Sequence, residues 1–257
     1  MSLAAPRTDL ALSVSDLCLT IGQTTVLDGL SFDVRAGEFV SIVGPSGSGK
    51  STTLGVLTGE LEPDSGTIEV GAGSGGARSD EFAWMPQSDS LLPWRRTIDN
   101  ATLGLEIAGV DRSAARAAVE PLIEPFGLKG FERAWPHELS GGMRQRVALL
   151  RTVALGRPLL LLDEPFGALD ALTRSQMQVW LEGIWREFGW TVLLITHDVR
   201  EAVLLSDRVL VYSQRPARTV EEIEVNLPRP RRPEMIADPR CAELEAGLIA
   251  TLTQGSQ

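Results

Sequence analysis

Gly44-Pro45-Ser46-Gly47-Ser48-Gly49-Lys50-Ser51-Thr52 decides how this 257-residue chain is to be read. It has the form G-x-x-x-x-G-K-[ST], a phosphate-binding loop whose meaning depends on a strand before it and a helix after it. Before it, Glu38-Phe39-Val40-Ser41-Ile42-Val43 is mostly apolar and β-prone, which predicts a buried strand. After it, Ser51 to Leu57 predicts the start of a helix. Glycines at 44, 47 and 49 let the backbone turn tightly and aim several N–H groups at one anion. The helix that follows adds its positive N-terminal end. Lys50 can bridge terminal phosphates, and the Ser51 hydroxyl can hold Mg²⁺.

The bulk properties bound the rest. The length suits one large α/β domain, or a core plus a subdomain, and 43% apolar residues can bury a sizeable core. The formal charge of -10, from 34 acidic and 24 basic side chains, argues against a nucleic-acid binder driven by phosphate neutralisation. Lys50 and Lys129 are the only lysines, so Lys50 stands out. Cys18 and Cys241 have no metal-ligand spacing and are expected to be thiols in a reducing compartment. Met1 to Asp9 lacks the basic start and apolar run of a signal peptide. No apolar run approaches the ~20 residues that span a bilayer, so any membrane role is expected to come through a partner.

Along the chain, Leu10, Leu12 and Val14, then Leu17, Leu19 and Ile21, alternate, as do Leu30, Phe32 and Val34. This predicts a small antiparallel sheet with one face covered. Gly22-Gln23, Arg35-Ala36-Gly37 and Pro63-Asp64-Ser65-Gly66 are turn signals, the last before a strand over Thr67 to Val70. Gly71 to Gly76 reads as a loop or hairpin, because it lacks a strand-to-helix setting. Phe82 to Met85 predicts a strand ending at Pro86-Gln87, and Leu91-Leu92-Pro93-Trp94 is either local core or a docking surface. From Asp99 to Leu155 the pattern is helical, with Val119, Leu122, Ile123 and Phe126 on one face, which predicts a helical subdomain inserted into the core. Met177, Trp180, Leu181, Ile184, Trp185 and Phe188 have the spacing of a packed helix face. Arg208 to Tyr212 predicts a last core strand. Leu227-Pro228-Arg229-Pro230-Arg231-Arg232-Pro233 breaks regular structure, and Asp238-Pro239 starts a final helix with Cys241, Leu244, Leu248 and Leu252 as its apolar face.

Three further stretches carry chemistry. Leu139 to Arg146, Leu-Ser-Gly-Gly-Met-Arg-Gln-Arg, opens a helix with Ser140 as N-cap, and Gly141 and Gly142 keep side chains off its start, leaving room for a second anion. Leu159-Leu160-Leu161-Leu162-Asp163-Glu164 reads as a central parallel strand ending in two carboxylates. Asp163 can hold Mg²⁺, and Glu164 can polarise an attacking water as general base. Thr191 to Thr196 predicts another central strand, ending at His197-Asp198, where His197 can sense a terminal phosphate and orient the water. His137, in Trp-Pro-His-Glu, is given no role.

Together these motifs resemble the ATP-binding cassette ATPases over almost the whole chain. Gly44 to Ser51 resembles Walker A, and Leu159 to Asp163 with Glu164 resembles Walker B plus the catalytic glutamate. Gln87 resembles the Q-loop glutamine, a nucleotide and metal contact. Leu139 to Arg146 resembles the signature motif, Ala168-Leu169-Asp170 the D-loop and His197 the switch histidine. The resemblance implies an α/β fold: a P-loop NTPase (RecA-like) core with an N-terminal antiparallel β subdomain and an inserted α-helical subdomain. The ATPase domain is expected over residues 1–225, with its core at about 10–88 and 156–225, the helical subdomain at about 89–155, and a tail at 226–257. It implies ATP and Mg²⁺ as cofactors, with Gly44 to Thr52, Ile21, Gln87, Ser140, Gly141 and Gly142 at the nucleotide, Ser51, Gln87 and Asp163 at the metal, and Glu164 and His197 in catalysis.

The closer resemblance is to the ATPase subunits of bacterial nitrate, sulfonate and taurine importers, a group that also includes importers of pyrimidine thiamine precursors. It rests on Leu91 to Trp94 with Asn100, on Asp163 to Asp170, and on the Leu-Pro-Arg-Pro-Arg run at 227–231. The implied partners are a second copy of the chain, packed head to tail, a transmembrane permease and, indirectly, an external solute-binding protein. The implied location is the cytoplasmic face of the cell membrane, as a peripheral subunit. One departure is plain: Ile21 stands where family members usually place an aromatic side chain to stack on adenine. An ATPase of an export or lipid-trafficking system shares every catalytic motif and is the alternative. A soluble protein acting on DNA or ribosomes usually carries a coiled-coil insertion or two cassettes, and this chain has neither.

Overall fold

The computed structural model describes residues 10–71 and 80–254. The expectations placed on Met1 to Asp9 and on the glycine run beyond Gly71 lie outside the described residues. Two sheets organise the fold. Strands β1 (Leu10–Ile21), β2 (Thr24–Arg35) and β4 (Ser65–Val70) form an antiparallel sheet in the order β2-β1-β4. Strands β3 (Phe39–Val43), β5 (Phe82–Met85), β6 (Leu159–Asp163), β7 (Thr191–Ile195), β8 (Arg208–Tyr212) and β9 (Thr219–Glu224) form a second sheet in the order β5-β6-β7-β3-β8-β9. The first five are parallel, and only β8 and β9 run antiparallel.

The patterns explain the layers. β3 and β7 are buried at every position, as continuous apolar runs in a parallel sheet covered on both faces should be. β1 and β2 instead alternate, and they bury Leu12, Val14, Leu17, Leu19, Leu30, Phe32 and Val34 against one face of the larger sheet in a shared cluster with Val40, Ile42, Leu161 and Leu193. The opposite face packs on α5 (Gly141–Val153) and α6 (Ala171–Phe188), where Val147, Leu150, Met177, Leu181 and Trp185 join Phe39, Leu160 and Leu162.

Several elements differ from the sequence expectation. The fourth strand begins at Ser65, so Ser65 and Gly66 belong to it and only the residues before them turn. Gly66 has φ +102, and a Cβ there would lie 2.6 Å from the Leu17 backbone, so the glycine serves close strand packing. The stretch from 99 to 155 is interrupted: α2 (Thr97–Ala101), α3 (Leu103–Ile107) and α4 (Arg112–Ile123) are short, and residues 124–140 hold only one 3₁₀ turn, Pro136–Glu138, before α5. Pro125, Gly127, Gly130 and Pro136 account for the break, since the prolines lack a donor and both glycines adopt positive φ. Phe126 still packs on the predicted face, fully buried against Trp180 at 5.3 Å.

The C-terminal residues pack on the core. α8 (Pro239–Gln254) buries Cys241 and Leu248 against Val203 and Val211, from α7 (Val199–Leu205) and β8, together with Leu227. Cys18 and Cys241 are both free thiols. No helix among the described residues is long and apolar enough to cross a membrane.

Candidate functional site

The phosphate loop joins the C-terminal end of β3 to α1 (Lys50–Thr58), at the edge where ligands of open parallel sheets bind. Gly49 adopts φ 114 as the N-cap, and a Cβ there would meet Leu27, Val26 and Ala217 within 3.3 Å, so both its conformation and its surroundings require glycine. Gly47 also has positive φ, and its carbonyl accepts a hydrogen bond from Arg215 Nε at 3.1 Å. Gly44 is confined by Tyr212 and Ser48, whose atoms would lie 3.0 and 3.1 Å from an added Cβ. Pro45 and Ser46 in the loop and Ser51 at the start of the helix are at least partly exposed, and Thr52 is the third residue of α1.

Lys50 lies back across this loop. Its Nζ donates to the carbonyls of Gly44 at 2.8 Å and Pro45 at 2.9 Å, and the residue is only 7% exposed. Burial pushes its pKa down, while the nearby Glu164 and Asp163 carboxylates pull it up. The ammonium is thus held in a preformed cradle facing the two acids that end β6.

Those acids differ in their surroundings. Asp163 is raised above the ordinary carboxylate range by burial and then by Glu164, while a hydrogen bond from Ser51 and the charge of Lys50 act the other way. Glu164 adopts φ 43, a left-handed conformation rare for a side chain of its size, and its N–H donates to the Ile195 carbonyl at 2.8 Å. This turn aims the carboxylate between two partners from neighbouring strand ends. Gln87 Nε2 donates to Glu164 Oε2 at 3.1 Å, and His197 Nδ1 lies 3.1 Å from the same oxygen. The structure therefore brings together, at the ends of β3, β5, β6 and β7, residues that lie up to about 150 positions apart in sequence: Lys50, Ser51, Gln87, Asp163, Glu164 and His197.

The oxygen set fits a small hard cation. The Ser51 hydroxyl adjoins the Asp163 carboxyl, and Gln87 commits its amide N–H₂ to Glu164, so its carbonyl oxygen is the atom it has left for a cation. One carboxylate with neutral oxygens, completed by phosphate and water, is how Mg²⁺ is usually held, without a dedicated cage. The described residues contain no cluster of three or more acidic, histidine or cysteine ligands.

Ser140, Gly141 and Gly142 sit elsewhere. Ser140 caps α5 by accepting from Met143 N at 3.2 Å. Added Cβ atoms on Gly141 and Gly142 would lie 3.2 Å from Leu169 and 3.1 Å from Thr173, so both glycines also permit close approach to the 167–170 loop and to α6. Among the described residues, no hydrogen bond joins 140–142 to the phosphate loop of the same chain. Ile21 lies at the tip of the β1–β2 hairpin, paired with Thr24 and 50% exposed. On the same hairpin, Val26 and Leu27 lie against Gly49 of the phosphate loop.

Leu91 to Trp94 divides between the two roles open for it. Leu91 packs on the core, while Trp94 is 71% exposed. Asn100, fully buried, ties the segment: it accepts from Leu92 N at 2.7 Å and donates to the carbonyls of Leu92 at 3.1 Å and Arg95 at 2.9 Å. Arg95 pairs with Glu106 at 3.0 Å, and Ile107, which follows Glu106, is 78% exposed. Sequence reading passed over Ile107, Arg215 and the groups behind His197, none of which belongs to a motif.

The family model described as "ABC transporter" matches residues 27–167. The nitrate import ATP-binding protein NrtC of Synechococcus elongatus is 44% identical over 91% of this chain, which spans 36% of that longer protein. The aliphatic sulfonates import ATP-binding protein SsuB 2 of Xanthomonas axonopodis is 40% identical over 99% of this chain and 84% of its own length. Among solved structures, the dimeric post-hydrolysis state of the ATP-binding cassette MJ0796, bound to ADP and Pi, superposes with a TM-score of 0.68 at 25% identity, over 84% of this chain and 99% of that one.

Proposed function

This chain belongs to the ABC transporter family, and we propose that it is the ATP-hydrolysing subunit that energises import of a small solute, such as nitrate, a sulfonate or a pyrimidine precursor, through a membrane permease. The observation that carries the catalytic reading is the Glu164 carboxylate, held by Gln87 and His197 and close enough to Lys50 to perturb it. The import reading is supported by relatives at 40–44% identity that are themselves named for nitrate and sulfonate import.

In this reading the phosphate-loop N–H groups and Lys50 bind the β- and γ-phosphates, with Lys50 exchanging its two carbonyl partners for phosphate oxygens. Ser51, Asp163 and Gln87 would hold Mg²⁺, which would supply neutralisation of charge developing on the phosphates. Glu164 takes the proton of an in-line water, and His197 orients the water and the terminal phosphate. Ser140, Gly141 and Gly142 face the γ-phosphate of a second copy of the chain, so two copies pack head to tail and close two sites between them. The exposed pair Trp94 and Ile107, beside the loop that follows Gln87, is the surface offered to the permease at the cytoplasmic face of the membrane.

Purification of the tagged chain from its native membranes in mild detergent tests this. Recovery of a permease, with a solute-binding protein that binds nitrate or sulfonates, is expected, and Trp94→Asp should abolish that recovery without lowering ATP binding. A permease recovered without a binding protein would move the reading to export or lipid traffic.

Base recognition gives a separate prediction. Ile21 offers apolar contact where a ring would stack, and stacking contributes about 1 kcal/mol. Ile21→Tyr is expected to tighten ATP binding roughly fivefold at that energy. The gain should be smaller for CTP, whose base is a single ring, and equal tightening of both nucleotides by fluorescence titration would place Ile21 away from the base.

A further inference from the structure

Behind His197 lies a buried polar group that no motif includes. Glu201, on the first turn of α7, is 4% exposed. Its Oε2 accepts a hydrogen bond from the Thr196 hydroxyl, and its Oε1 is buried without a hydrogen-bond partner. Thr196 is 1% exposed, and its single hydroxyl proton is committed to Glu201, which turns a lone pair towards the next peptide. There it accepts from Asp198 N at 3.0 Å. The two neighbours of His197 are thereby tied to each other across it, and the imidazole stands at the apex of that turn. Asp198 then caps α7 through Arg200 N at 2.9 Å and Glu201 N at 3.2 Å. Arg174 braces the turn from α6, donating to the Leu169 carbonyl at 3.2 Å with its other terminal nitrogen 3.8 Å from Asp198.

We infer that Glu201 is a positioning residue for ATP hydrolysis: acting through Thr196, its carboxyl fixes the 196–198 turn so that the His197 imidazole meets Glu164. This rests on the role given to His197 above. Three features separate the pair from ordinary helix packing. An exposed glutamate four residues beyond the histidine would serve the helix equally well, yet this one is buried. Its only side-chain hydrogen bond goes to the residue before His197 rather than to its own helix. The turn it controls holds the nitrogen found 3.1 Å from Glu164. Burial pushes the carboxyl up to about 8, with Asp198 and Glu164 acting in the same direction against Thr196 and Arg174. Burial thus favours the neutral carboxyl, whose shape and acceptor oxygen a glutamine amide can copy.

ATP hydrolysis by the full chain, measured with Mg-ATP for a set of variants, tests this. Glu201→Ala and Thr196→Val are each expected to lower kcat about tenfold or more, with KM for ATP within twofold of the parent. Glu201→Gln is expected to keep at least half of kcat. In a His197→Ala background, adding Glu201→Ala should change kcat less than twofold, because a group acting only through His197 has nothing left to act on. Equal multiplicative losses in both backgrounds, or failure of Glu201→Gln to restore kcat, would overturn the inference. Should Glu201→Ala fail to fold, Thr196→Val carries the same comparison, since it removes one hydroxyl at constant shape. If His197→Ala alone leaves kcat unchanged, the catalytic role of His197 fails and the inference with it. If His197→Ala lowers kcat while Glu201→Ala and Thr196→Val do not, the inference alone fails.

Discussion

Glu164→Gln is expected to lower kcat for ATP hydrolysis by at least about 100-fold, the lower end of what a positioned general base contributes, while leaving ATP affinity within a few fold. The substitution keeps the φ 43 backbone and the side-chain volume, and it does not touch the Lys50 cradle. It removes the basic oxygen on which Gln87 and His197 converge, and an amide cannot accept the proton of the attacking water. Binding would persist without chemistry, so the ATP-loaded head-to-tail dimer should accumulate and be measurable by light scattering with Mg-ATP. A fall in kcat with KM unchanged identifies a transition-state role. Turnover at a tenth of the parent rate or more would remove Glu164 as the base, whatever became of the dimer.

How far the sequence reveals this site depends on the range of the interaction. The phosphate loop is legible because its physics is local: positive φ at Gly47 and Gly49, a strand before and a helix after, all within about 20 residues. The ends of β6 and β7 are legible for the same reason, since an apolar run that stops at an acid or a histidine places that side chain at a sheet edge. The coupling between those ends is not. Nothing in the chain around Glu164 announces that Gln87 and His197 meet its Oε2, because strand order β5-β6-β7 is set by packing over the whole sheet. β9 is hidden too: Thr219-Val220-Glu221-Glu222-Ile223-Glu224 spaces its two aliphatics three apart and carries three acids, which suits a charged edge strand and resembles a loop. Glu201 looks like a solvated helix residue until the tertiary fold buries it.

Arg231 lies far from where its run in the sequence suggests, and Arg231→Ala is expected to cost about 3–5 kcal/mol of stability, since several buried carbonyls lose a charged donor at about 1–3 kcal/mol each. The Pro/Arg run reads as a break in regular structure within a tail, yet Arg231 is 2% exposed. Its guanidinium donates to the carbonyls of Val203 at 3.1 Å and of Ser206, at the end of α7, to Val225 at 2.8 Å and to Leu227 at 3.3 Å. Carbonyls at a helix C-terminus lack intrahelical donors and carry partial negative charge, so a cation answers both needs there. Arg229 works beside it, donating to Leu205 O at 2.8 Å and Asp207 at 2.7 Å while stacking on Trp185 at 4.2 Å. Burial and the neighbouring Arg229 lower Arg231 to about 10, so it stays charged at neutral pH. Alanine would leave these carbonyls without their donor in a dry site. At roughly 2–4 °C per kcal/mol for a chain of this size, the melting temperature should fall by about 10 °C. Arg231→Lys, which keeps the charge but cannot span carbonyls on both sides of the helix end, should lose nearly as much. Arg240→Ala, which breaks only the exposed pair with Asp238, is expected to melt with the parent. A melting temperature for Arg231→Ala within 2 °C of the parent's would mean that α7 is held by α8 and the Arg200–Glu245 pair at 3.2 Å, and not by the arginine run.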